Sequence, residues 1–362
     1  MRKVWQFLPT FFFGDAIGND CLAISRFLTR KGVENKIGAT TIHPKMDPYA
    51  VAFEEAKKQI SPEDVIIYHL STGDAMNDWF SDLPNKKAVI YHNITPAEFF
   101  QGYSDIHVKV TEEGRLQAKR MASRVDLSIA DSEYNAREME EMGFPKASVV
   151  PILLPFEDYR KTPDEKKVEE MSDGRTNILF VGRIAPNKKQ EDIISVFAEY
   201  VKNFDPDARL ILAGSCGGLE KYQERLESFT AKLGISDQVI FTGHISFAEI
   251  LAYYKTASAF VIMSEHEGFC VPVVEAYLFD LPVLACDYGA IGETMGDAGI
   301  LLSAQKEPAR AASLLHEMLK DKAWQEENKA RIKKALERFE TEKVEETFWE
   351  AIKPLVSEPE TT

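Results

Sequence analysis

Two acids with seven residues between them, Glu267 and Glu275, lie in the stretch FVIMSEHEGFCVPVVEAYLFDLPVLACD, residues 260–287. The spacing alone carries little, since Glu55/Glu63, Glu133/Glu141 and Glu191/Glu199 share it and read as solvated helix faces. Context sets the first pair apart. The apolar run Phe260 to Met263 predicts a buried strand, residues 264–270 a polar loop, Val271-Pro272 a helix start, and Pro282 to Cys286 the next strand. That order is a βαβ unit with proline in the first helical turn, where a missing N–H costs little. Main-chain N–H groups around Gly268, Phe269, Cys270 and Val271 then form an anion site, with Gly268 permitting close approach. Carboxylates would repel a bare phosphate. They fit a ligand with a diphosphate at one end and hydroxyls at the other, as in a nucleotide sugar.

The positive charge such a ligand needs stands on another loop. Gly182-Arg183-Ile-Ala-Pro-Asn-Lys188-Lys189 follows the apolar run Asn177–Gly182. Arg183 can take phosphate oxygens bidentately, and Lys188 acts as a mobile point charge. Nearer the start of the chain, Gly14-Asp15-Ala16-Ile17-Gly18 separates a strand from a helix. It lacks the G-x-G-x-x-G of a dinucleotide fingerprint and the G-K-[ST] of a P-loop. It reads as an ordinary strand–helix turn, or as small residues that let a ligand come close. His69 and His92 fall at the carboxyl ends of apolar runs, where ligands of open parallel sheets bind. Asp205-Pro-Asp207 has the D-x-D form of a metal-holding pair but precedes its strand, so it reads as a turn at the opposite end of the sheet.

These residues require two sets of alternating strands and helices. Strands are expected at 4–8, 64–70, 88–92, 126–130 and 148–152, with a helix over 132–142 capped by Ser132. Residues 156–176, rich in proline and charge, read as a linker. A second series follows, with strands at 177–182, 209–214, 239–243, 260–263, 282–286 and 299–302. The expected domains are 1–155, then 177–340, with 341–362 as a helix and tail returning to the first domain. Residues 357–362 are expected to fray.

The 362 residues suit two domains, and 44% apolar with 28% charged residues describes a soluble protein. A net charge of −15 argues against nucleic acid as a partner. No apolar run approaches the ~20 residues of a membrane span, and no secretory pattern opens the chain, so a cytoplasmic location is expected. The four cysteines are far apart and read as reduced thiols. A basic segment, residues 108–124, reads as a solvated helix, with peripheral membrane contact the less favoured reading.

The chain resembles the retaining glycosyltransferases of family 4, whose fold is GT-B: α/β, with two facing Rossmann-like doubly wound domains and a C-terminal helix crossing back. EGFCVPVVEA is similar to the family's E-x7-E motif, GRIAPNK to its G-R-x-x-x-x-K element and YHNITP to its N-domain histidine segment. The resemblance implies that Glu267 faces the donor sugar, Glu275 the ribose, and Arg183 and Lys188 the diphosphate. It implies that His92 contacts the sugar near the reacting carbon once the domains close. Gly14, Asp15 and Gly182 join the donor-binding set. It also implies a hexose-type sugar passed from a UDP- or GDP-sugar to a carbohydrate, lipid-linked or small-molecule hydroxyl, with no metal or other cofactor. Another GT-B enzyme, an epimerase or phosphorylase, and a non-catalytic nucleotide-sugar binder are the alternatives. Cys270 departs from the family, which more often has glycine there.

Overall fold

The computed structural model describes residues 1–12, 14–303 and 307–357. Two compact units divide the chain, and neither is continuous in sequence. Unit 1 takes Met1–Ala97, Ile106–Pro155 and the chain from Phe339 onward; unit 2 takes Glu98–Asp105 and Phe156–Arg338.

Unit 1 is built on a parallel sheet of seven strands among the described residues, in the order β3-β2-β1-β4-β5-β6-β7. These are β1 (Val4–Phe11), β2 (Asn35–Ile42), β3 (Ala50–Ala52), β4 (Val65–Leu70), β5 (Lys86–Tyr91), β6 (Leu127–Ala130) and β7 (Ser148–Val149). The sequence VIIYHL of β4 is buried at every position, as a strand covered on both faces must be. β2 and β3 were not expected. NKIGATTI buries only its middle and mixes polar with small residues, so it carries no apolar run to read. The helix Glu133–Glu141 is capped by Ser132, whose side chain accepts from the Asn135 N–H at 3.0 Å.

The helix Thr341–Val356 belongs to this unit. Val344, Phe348, Ile352 and Val356 recur every four residues and pack in one core with Val4, Ile24, Phe27 and Val65. The Arg2 N–H donates to the Val356 carbonyl at 2.9 Å, tying the two ends of the described chain together. Of the expected frayed tail, residues 358–362 lie outside the described residues.

Unit 2 holds a second parallel sheet, with six strands among the described residues in the order β10-β9-β8-β11-β12-β13. They are β8 (Asn177–Val181), β9 (Arg209–Ala213), β10 (Val239–Phe241), β11 (Ala259–Ile262), β12 (Val283–Cys286) and β13 (Ile300–Leu302). In both sheets the strand order reverses beside the first strand of the series, between β1 and β4 and between β8 and β11. A crevice opens at such a switch point, beyond the carboxyl ends.

The expected linker, 156–176, is instead part of unit 2. Asp164 caps a helix over Glu165–Met171, the Asp164 N–H donates to the Ala248 carbonyl at 2.9 Å, and the Asn177 side chain donates to the Met171 carbonyl at 2.9 Å. Its proline and charge content reflects an exposed face rather than a tether. Residues 98–105 also belong to unit 2, through Tyr103, whose ring meets that of Tyr222 edge to face at 5.3 Å. Unit 1 gives way to unit 2 after Pro155, where a boundary was expected, and the chain returns to unit 1 after Arg338, two residues before the expected 340; what differs is that 98–105 and 156–176 join unit 2. Asp205-Pro-Asp207 is a turn, with the Ala208 N–H returning to the Asp205 carbonyl and the Asp205 carboxylate held by Thr176 at 2.6 Å.

Candidate active site

Two loops meet at the switch point of unit 2. The first leaves β8 at Gly182 and passes Arg183 to the short turn Pro186–Lys188 before the helix Gln190–Asn203. Gly214 at the end of β9 makes this passage possible, because a Cβ there would lie 2.0 Å from the Gly182 carbonyl oxygen. Arg183 is exposed and donates to the Gly217 carbonyl at 3.0 Å. The second loop leaves β11 and carries Glu265, Glu267, Gly268 and Phe269. Its main chain is seated on Gly289, whose Cβ would lie 2.4 Å from the Glu267 carbonyl oxygen.

Hydrogen bonds lock the loops together. The Glu265 N–H donates to the Asn187 carbonyl at 2.9 Å, and the Asn187 side chain donates to the His266 carbonyl at 3.3 Å. Lys188 Nζ then reaches Glu267 Oε2 at 2.7 Å, with the Glu267 side chain only 9% exposed. Lys189 pairs with Glu265 at 3.1 Å. The sequence-derived cation and the sequence-derived acid thus form one ion pair.

Cys270 sits at the N-cap of the helix Val271–Leu278, which has proline in its first turn. Its φ of 76° and ψ of 59° place it in the left-handed region, which glycine adopts without strain. The backbone has the conformation that glycine suits, and a buried side chain occupies it. Burial pushes the Cys270 thiol well above its ordinary pKa, with Glu267 adding to the effect, so the sulfur is held as the neutral thiol.

Glu275 lies farther along the same helix and has its own partners. Tyr159 donates to Oε1 at 2.6 Å and Tyr254 to Oε2 at 2.7 Å. Burial raises the Glu275 pKa, and the two hydroxyls draw it back down. Each oxygen keeps capacity for one more donor. Neither tyrosine was legible as a site residue: Tyr159 stands in the supposed linker, and Tyr254 reads as one of several apolar residues on its helix. Both of their hydroxyl pKa values are raised, first by burial and then by the neighbouring Glu275.

In unit 1, the Asp15 carboxylate accepts from the Gly18 N–H at 3.3 Å, capping the helix Ala16–Arg30, and Gly14 precedes it with a φ of +83°. The His92 ring is engaged on both edges. Its Nδ1 lies 2.9 Å from Asp131 Oδ2 and its Nε2 lies 2.8 Å from His69 Nδ1, while the side chain is 1% exposed. The residue as a whole is half-buried, so the solvent-facing part of His92 is main chain. Asp20, His69 and His92 bring potential metal-ligand atoms within 4.8 Å of one another. The two ring nitrogens already satisfy each other at hydrogen-bond distance. No helix of the described residues is long and apolar enough to cross a membrane.

Residues 161–338 match the family model described as glycosyl transferases group 1. Among curated proteins, a D-inositol 3-phosphate glycosyltransferase of Frankia alni is 28% identical over 212 residues, 56% of this chain and 52% of that protein. A mannosylfructose-phosphate synthase of Agrobacterium fabrum is 25% identical over 162 residues, 42% of this chain and 36% of that protein. The chain spans about half the length of the curated relatives it matches. Among solved structures, Anabaena HepE in complex with UDP and glucose superposes with a TM-score of 0.78 at 16% identity, covering 98% of this chain and 100% of that one. Sucrose-phosphate synthase from Thermosynechococcus elongatus gives 0.72 at 17% identity, covering 97% and 96%. These structural likenesses establish the GT-B fold.

Proposed function

Since residues 161–338 belong to the group 1 glycosyltransferases, we propose that this protein transfers a hexose-type sugar from a nucleoside-diphosphate donor to an acceptor hydroxyl. The observation that carries this reading is the Lys188–Glu267 ion pair at 2.7 Å, which joins a cationic loop to the loop at a helix start. An arriving diphosphate finds Arg183 and Lys188 as counter-charges and the N–H groups at the Val271–Leu278 helix start as donors. Lys188 then divides its contacts between phosphate and Glu267, leaving Glu267 oxygens to accept from sugar hydroxyls. Glu275, oriented by Tyr159 and Tyr254, keeps acceptor capacity for ribose hydroxyls.

In this reading the departing diphosphate is stabilised by fixed cations and amides, and the transfer proceeds without a metal. Configuration at the anomeric carbon is retained, with the leaving phosphate taking the acceptor proton. UDP leads the donor candidates because HepE, similar in fold, was solved with UDP and glucose; GDP follows.

A thermal-shift panel of nucleoside diphosphates tests the donor site. A binder at a hundredfold excess over its dissociation constant stabilises the protein by about 2.7 kcal/mol. No response to any nucleoside diphosphate sinks the reading. Transfer that persists in EDTA supports the metal-free mechanism, and loss rescued by manganese rejects it.

A further inference from the structure

Beneath the rim of unit 1, a chain of hydrogen bonds fixes where the protons on two buried histidines must sit. It starts at Gln6, which is fully buried in β1. The Gln6 amide nitrogen donates to the Cys21 carbonyl at 3.1 Å. Flipped, the amide would set two acceptor oxygens against each other, so Oε1 must face His69. An amide oxygen only accepts. His69 Nε2, 3.0 Å away, therefore carries the hydrogen. Burial holds the His69 ring well below its ordinary pKa, and the charge at His92 pushes the same way. Neutral and protonated at Nε2, His69 presents a bare Nδ1.

The next contact follows from that assignment. His69 Nδ1 and His92 Nε2 are 2.8 Å apart, with the rings tilted by only 4°. A bare Nδ1 accepts, so His92 Nε2 must donate. On its other edge, His92 Nδ1 meets Asp131 Oδ2 at 2.9 Å. The groups facing His92 are His69, Asp131, Asp20 and Asp15. Burial works against a charged His92 ring, but the three acids outweigh it and the net shift is upward. Asp20 is itself pushed up to about 7 by burial, with His92 drawing it back. Asp15 is likewise raised by burial.

We propose that Gln6 and His69 are positioning residues that hold His92 as a doubly protonated ring paired with Asp131. The ring is a fixed cation and an anchor, and not a base or nucleophile. What it anchors is the turn at the end of β5. Asn93 follows with a φ of 72°, and its side chain is held by Asn135 at 2.8 Å and Glu138 at 3.1 Å. With the ring and Asn93 both tied down, the His92–Asn93 main chain is presented to the rim in one conformation. The use of that rim rests on the glycosyltransferase reading, but the proton assignment does not.

Nitrogen-resolved NMR of the full chain with labelled histidine tests the assignment without any substitution. At pH 7, both His92 nitrogens should carry protons and His69 should carry one, on Nε2. In Gln6→Met the His69 tautomer is freed, and His92 should lose its second proton at a pH lower by on the order of one unit. A singly protonated His92 in the parent protein at pH 7 overturns the proposal. So does an unmoved midpoint in Gln6→Met, or zinc displacing the ring protons at one equivalent. If these protons stand as assigned while no nucleotide binds, the donor reading fails and the proton assignment survives.

Discussion

Lys188 and Glu267 lie 79 residues apart in sequence and 2.7 Å apart in space. Removing one partner leaves the other half-orphaned. Lys188→Ala exposes the cost directly, because the Glu267 side chain is only 9% exposed. An uncompensated group there costs about 1–3 kcal/mol, read as a lower midpoint in urea unfolding. Arg183→Ala removes an exposed cation and should weaken nucleotide binding with little effect on stability. Glu267→Ala should mainly lower turnover. Equal loss of nucleotide affinity in all three variants would reject this division of roles.

The tyrosines on Glu275 give a pH-dependent outcome. The folded-state pKa of Glu275 lies above its ordinary value. The folded protein therefore holds that proton where the unfolded chain releases it, and stability falls as pH rises from about 4.5 through the folded-state value. Tyr254→Phe removes a donor that favours the charged form and enlarges that loss. The variant should be destabilised by about 1.5–3 kcal/mol at pH 7 and by clearly less below pH 4. A deficit equal at both pH values would show that the hydroxyl does not serve the carboxylate.

At the scale of elements, the helix Val271–Leu278 starts from a residue in a conformation that costs a side-chain-bearing amino acid about 1–2 kcal/mol. Cys270→Gly relieves that strain but loses thiol packing, and should stay within about 1 kcal/mol of the parent. Cys270→Val forces a β-branched side chain into the left-handed region and should cost at least about 2 kcal/mol. Urea midpoints of the two variants check the contrast. The E-x7-E pattern, the G-R-x-x-x-x-K element and the strands flanking them were legible because continuous apolar runs ended at polar loops. The helix Glu165–Met171 was not, since its periodic signal is short and its burial comes from partners on the distant helix Phe247–Thr256.

At the scale of the molecule, the division into units governs what a truncation does. Residues 1–155 do not contain the whole core of unit 1, because Val344, Phe348, Ile352 and Val356 close it. Phe348→Ala should cost about 3–5 kcal/mol. Ending the chain after Arg338 removes all four residues and should leave unit 1 without cooperative unfolding, measured by tryptophan fluorescence at Trp5 and Trp79. Retention of a sharp transition would show that the final helix is dispensable.

The sequence by itself determined the class of fold, the two series of parallel strands and the identity of the charged loops at their ends. Apolar runs and glycine-bearing turns are local properties, and they survive without knowledge of the partners. The tertiary structure decided which groups neutralise which: Glu267 with Lys188, Glu275 with Tyr159 and Tyr254, and His92 between His69 and Asp131. Those pairings join residues 21 to 116 positions apart. A hydrogen bond is set by position in space to within a few tenths of an ångström, and no spacing along the chain encodes that.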